Sequence, residues 1–102
     1  MNKTSDINSI CLISNRIDVV KFCEQAVGSL AKVYTEKEVY LSTLKFSQII
    51  LLDISLLKID DGYIALLKMQ NIIQKIICLI PQNCPIEKKM FAYKHFSDLL
   101  PV

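Results

Sequence analysis

The stretch SQIILLDISLLKIDDGYIALL, Ser47 to Leu67, carries an aliphatic run, Gln48 to Leu52, directly into one acidic residue, Asp53. A continuous aliphatic segment with two isoleucines suits a central strand covered on both faces, and Asp53 then stands at its carboxyl end. Further on, Asp60 or Asp61 is placed to cap a helix that carries Ile64, Leu66 and Leu67.

The same alternation extends in both directions. Towards the amino end, Ser9 to Ser14 (SICLIS) predicts a first buried strand. From Arg16, Ile17, Val20, Val27 and Leu30 recur at helical spacing, with Ser14 or Asn15 available as the cap. Lys32 to Thr35 predicts a second strand, and EKEVYLSTLKF predicts a second helix that ends near Lys45 with Val39, Tyr40 and Leu44 on one face. Towards the carboxyl end, Lys75 to Ile80 (KIICLI) predicts a fourth strand closed by Pro81. Pro85 opens a fourth helix with Ile86, Met90 and Tyr93 on one face and Glu87, Lys88 and Lys89 on the other, and Asp98 to Leu100 is a weak fifth strand.

Strands alternating with helices over short connections imply an α/β parallel sheet wrapped on both faces, in a single domain spanning 1–102. In such sheets chemistry collects beyond the carboxyl ends of the strands, which assigns Ser14, Asn15, Asp53, Ile80 and Pro81 to one cleft.

Composition narrows the functions. Twelve Lys and Arg against ten Asp and Glu leave a scattered net charge of +2, which gives no electrostatic reason to expect nucleic acid or an acidic membrane surface. Apolar residues make up 52 % of the 102 residues, with a mean hydropathy of +0.36, so an apolar face is expected to meet a partner. No apolar run approaches the roughly 18–20 residues of a membrane-spanning helix, and MNKTSDINSICLIS lacks the features of a secretory signal. A cytoplasmic location is the expectation. Cys11, Cys23 and Cys78 lie in apolar periodic segments and Cys84 lies alone in a loop, which suits reduced thiols.

The chain resembles the receiver domain of two-component response regulators over essentially its whole length. KVYTEKEVYLSTLKFSQIILLD is similar to the receiver segment that ends in the phosphoacceptor Asp, and Asp61-Gly62 is similar to the Asp-Gly that follows, displaced by one residue. FAYKHFSDLL, Phe91 to Leu100, is similar to the segment leading into the fifth strand. The resemblance implies a flavodoxin-like receiver fold, and it implies a working site made of an acidic pair that holds Mg²⁺, the acceptor Asp, a Ser or Thr after the fourth strand and a Lys after the fifth.

Only the acceptor position, Asp53, is retained. Ser14 and Asn15 are neutral where the acidic pair belongs, and a hard cation such as Mg²⁺ is held chiefly by carboxylates. Ile80 or Pro81 replaces the hydroxyl residue and Pro101 or Val102 the lysine, so the cation that would neutralise a transferring phosphoryl group is missing. Asp53 thus has two readings, a remnant that caps nearby N–H groups or faces solvent, and a working phosphoacceptor with Asn15 and waters completing a magnesium shell.

Other chemistry-bearing residues are weaker candidates. His95 could donate phosphate or bind metal, but without partners at ligand spacing a surface or helix-end role is favoured. Cys11 lies mid-strand, where core packing is expected rather than the cysteine phosphorylation of some transport domains. Lys88, Lys89 and Lys94 read as a solvated helix face. His95 and Phe96, bulky where the family tends to small residues, are candidates for a remodelled partner surface. The sequence stops at Val102 without the receiver's fifth helix, so either exposed aliphatic side chains beside the first helix favour dimerisation, swapping or a partner helix, or a helix and an effector domain lie downstream.

The expectation is a non-enzymatic, cofactor-free, receiver-like (pseudo-receiver) domain acting through contact with a protein partner or a second copy, in bacterial signal transduction or transcription regulation. Nucleic acid would enter only through a separate effector domain. The alternatives are a Mg²⁺-dependent phosphoacceptor at Asp53 and a small-ligand sensor that uses the strand-end cleft.

Overall fold

The computed structural model describes residues 10–28, 31–38 and 40–102. Its elements are β1 (Ile10–Ile13), α1 (Ile17–Val27), β2 (Ala31–Tyr34), α2 (Leu41–Lys45), β3 (Ile49–Asp53), α3 (Asp61–Met69), β4 (Ile76–Ile80), α4 (Ile86–His95) and β5 (Leu99–Pro101). Ser9, Leu30 and Val39, which the sequence places in β1, α1 and α2, lie outside the described residues.

All the strands pair in parallel in the order β2-β1-β3-β4-β5, the flavodoxin-like arrangement. Each crossover helix returns the chain to the start of the next strand, so every carboxyl end opens on the same side of the sheet. Register brings Ile13 beside Leu52 and Asp53 beside Leu79, which leaves Asp53 one residue beyond the paired end of β1.

Strand periodicity of two divides the aliphatic side chains between the faces. Cys11, Ile13, Ile50, Leu52 and Cys78 point into the larger core, closed by Leu44 of α2, Ile64 and Leu67 of α3 and Ala92 of α4. Leu12, Leu51 and Leu79 point the other way, against Val19 and Cys23 of α1. Among the described residues α1 is the only helix on that second face, and Leu100 of β5, beside Leu79 in register, remains 39 % exposed.

Local signals explain most of the boundaries. Asp60 caps α3, its Oδ1 accepting the Tyr63 amide at 2.9 Å. The same helix ends with Asn71 at φ 57°, while the Ile72 amide returns to the Leu67 carbonyl and the Asn71 amide to that of Lys68, a Schellman closure. Gly28 ends α1 at φ 71°, ψ −149°, a backbone region that is essentially closed to residues with a Cβ.

Three expectations change. Neither Ser14 nor Asn15 caps α1, because Arg16 is its N-cap residue and makes no side-chain cap. The second helix is only Leu41–Lys45, preceded by a 3₁₀ turn at Glu36–Glu38; Tyr40, with extended φ and ψ, is its N-cap and is 58 % exposed. In α4 the face bearing Ile86, Met90 and Tyr93 points outward, and the helix meets the core through Ala92, with Phe96 just beyond its end. The small Ala92 side chain lets α4 lie close to the sheet, and that contact fixes the rotation of the helix.

Candidate functional site: a carboxylate sealed at the end of β3

Asp53 is the last residue of β3 and is fully buried, at 0 % exposure. The pleat would otherwise aim it into the strand-end cleft, but two loops fold over it. From the β1–α1 loop, Ser14 Oγ donates to Oδ2 at 2.6 Å. From the turn after β3, the Ser55 amide donates to Oδ1 at 2.9 Å and the Ser55 hydroxyl at 2.7 Å. Both carboxylate oxygens are therefore satisfied by protein donors, as a buried acidic group requires. The Ser55 pair forms an Asx-type turn in which the side chain binds the backbone two residues on.

Ser14 connects this anchor to α1. Its hydroxyl, while donating to Asp53, accepts the Arg16 amide at 3.0 Å, and its own amide donates to the Tyr34 carbonyl at 3.0 Å. A hydrogen-bond chain thus runs from the end of β3 through Ser14 to the amide of Arg16, the residue that leads into α1.

The predicted cleft set is divided by the structure. Asn15 is exposed and turned towards the β2–α2 loop, its Oδ1 accepting the Glu36 amide at 2.9 Å. Ile80 and Pro81 line a separate groove of about 540 Å³ with Phe22, Tyr93 and Val102. Only Ser14 stays with Asp53. Ser55 escaped the sequence reading, although the Asp53-Ile54-Ser55 spacing is the pattern of an Asx turn.

The surroundings are dry. Burial pushes the Cys78 thiol up to about 12, with the charge of Asp53 acting in the same direction. The Cys84 thiol in the β4–α4 loop is raised by burial and then by Asp53. Cys11 in mid-strand is pushed up to about 11 by burial, partly offset by a hydrogen bond with Ser47. All four thiols are free and buried. Lys88 is not simply solvated, since its Nζ donates to the Leu56 carbonyl at 2.8 Å and ties α4 to the loop after β3. Arg16 pairs instead with Asp18, at 3.2 Å, and holds that exposed carboxyl below its usual range.

His95 and Phe96 are placed inward. Phe96 is 5 % exposed and belongs to the larger core. The His95 ring stacks on Phe91 with centroids 4.6 Å apart, and its Nε2 lies 3.2 Å from Asp61 Oδ1 without the alignment of a hydrogen bond. That contact brings the carboxyl end of α4 against the amino end of α3.

The residues present do not fit Mg²⁺. Asp53 has spent both oxygens on serines, Ser14 contributes a hydroxyl, and Asn15 points away. Among the described residues no group of three His, Cys, Asp or Glu side chains is placed to hold a metal, and no helix is long and apolar enough to cross a membrane.

No protein-family model matches the chain, and no curated protein matches it significantly. A solved structure similar to it is that of a Burkholderia pseudomallei protein provisionally described as pilus assembly-related, with a TM-score of 0.52 and 15 % identity over 95 % of this chain and 79 % of that one. At that identity the likeness concerns the fold alone.

Proposed function

We propose that the chain is a receiver-like domain that acts through protein contact and not through phosphotransfer, in a cytoplasmic signalling or regulatory setting of the kind the receiver resemblance implies. The observation that supports this reading is the sealed state of Asp53. Phosphoryl transfer needs an in-line approach of the donor to a carboxylate oxygen, together with cations that offset the charge of the transition state. Asp53 offers no exposed oxygen, and its charge is met by hydroxyl and amide donors that also hold two loops in place. The carboxylate is an internal anchor and the domain is not an enzyme.

The test is an amide NMR titration with Mg²⁺ and beryllofluoride, with Asp53→Ala as the control. The anchor reading expects no saturable shifts at Ser14, Asn15 and Asp53 at millimolar metal. Saturable shifts that vanish in Asp53→Ala would establish the phosphoacceptor instead.

A further inference from the structure

One peptide unit at the carboxyl rim of the sheet is gripped from both sides by charged side chains of distant elements. The Leu56 carbonyl accepts from Lys88 Nζ of α4 at 2.8 Å, and the N–H of the same peptide, that of Leu57, donates to Glu36 Oε1 at 3.1 Å. Among the described residues no ion pair joins Lys88 to Glu36 directly. Glu36 is itself fixed, since its amide donates to Asn15 Oδ1 in the β1–α1 loop at 2.9 Å. The Leu56 carbonyl also accepts the Ile59 amide at 3.4 Å, closing a turn whose ends, Leu56 and Ile59, are buried while Leu57 between them is 80 % exposed. With both ends of the turn held in the core, the motion left to the 56–57 peptide is rotation of its plane. Because that plane is rigid, rotation takes the C=O from Lys88 and the N–H from Glu36 together.

We propose that the 56–57 peptide is the centre of a charge clamp, in which Lys88 and Glu36 act as one unit through the amide between them, lock the turn beyond Asp53 in one orientation and couple α4 to the 3₁₀ turn after β2. This rests on the contact reading above and assigns the route by which a displacement of α4 is felt on the other side of the rim. A carbonyl that accepts from an ammonium draws charge across the amide and makes its N–H a better donor. A carboxylate at the N–H does the converse, so each bond strengthens the other. The retained loop conformation is thereby set by this chain's own charges, without a phosphoryl group.

The experiment is amide hydrogen exchange by NMR on the full chain, comparing wild type with Lys88→Met, Glu36→Gln and the double variant. The Leu57 amide does not touch Lys88, so its exchange reports coupling rather than loss of a local contact. Lys88→Met is expected to speed Leu57 exchange by about tenfold, the size of a charge-assisted hydrogen bond, while core amides such as that of Leu52 keep their rates. The double variant should exchange more slowly than the product of the two single effects demands. Lys89→Met, at the next position of α4, should leave Leu57 unchanged. A Leu57 rate indifferent to Lys88→Met, single effects that simply multiply, an equal acceleration at Leu52, or the same acceleration in Lys89→Met overturns the clamp. Saturable shifts at Asp53 with Mg²⁺ and beryllofluoride, in a chain whose Leu57 exchange still depends on Lys88, overturn the contact reading and keep the clamp.

Discussion

Replacing Ser14 with alanine probes the Asp53 anchor directly. The Ser14 hydroxyl, 2 % exposed, donates to a carboxylate oxygen at 2.6 Å, and water cannot take its place without the loops opening. A hydrogen bond to a charged group contributes about 1.5–3 kcal/mol, and an acceptor left buried and unpaired carries a desolvation penalty of similar size. The exposed side of the Arg16 amide softens its own loss, so the expected cost of Ser14→Ala is about 3 kcal/mol. Domains of this size have total stabilities of about 5–15 kcal/mol, so the fold should survive with a melting temperature lower by about 12–24 °C. Urea unfolding followed by circular dichroism reads the free energy. In an Asp53→Ala background the same substitution should cost less than about 0.5 kcal/mol, because the partner is already gone. A cost below about 0.5 kcal/mol in the wild-type background, or strict additivity of the two substitutions, would refute the anchor.

Two further outcomes follow from the burial and the backbone. The raised thiols of Cys11, to about 11, and Cys78, to about 12, stay neutral in the folded chain where an unfolded chain ionises them. Their stabilising contribution is whole below the unfolded thiol range and is lost as pH rises through the folded values. The unfolding free energy should therefore fall from about pH 9 upward by about 1.4 kcal/mol per pH unit per thiol, read from denaturant titrations, and a thiol reagent at neutral pH should label the chain only as it unfolds. Gly28→Ala meets no neighbour within 4 Å but forces a Cβ into the φ 71° conformation, so a loss of about 1–3 kcal/mol is expected by the same urea assay; an unchanged midpoint would mean that α1 ends elsewhere.

The strands were legible because buried parallel strands are written as short aliphatic runs between polar stops, and QIILL and KIICLI leave few other readings. The cap of α3 was legible for an equally local reason, with Asp60 as the residue that serves. The orientation of α4 was not, since spacing reports that Ile86, Met90 and Tyr93 share a face but not which neighbour that face meets. Ala92 and Phe96 decide it, one by being small and the other by lying past the helix end. The site was half legible. Sequence placed Asp53 and Ser14 at adjacent strand ends, whereas the division of Asn15 towards Glu36 and of Ile80 and Pro81 towards the groove depends on side-chain directions that spacing does not carry.

The last strand has a bearing on how copies of this molecule can and cannot join. In β5 the Val102 amide points inward, to the Ile80 carbonyl, so the alternating pleat turns positions 99 and 101 outward along the open flank of the sheet. Position 101 is proline and has no N–H to offer. A strand arriving at that flank finds an edge only three residues long with one of its outward donors deleted, too little to continue the hydrogen-bond ladder. The flank is thus a poor template for β-addition, and a neighbour that reached it would have to be held by side chains rather than by a continued ladder.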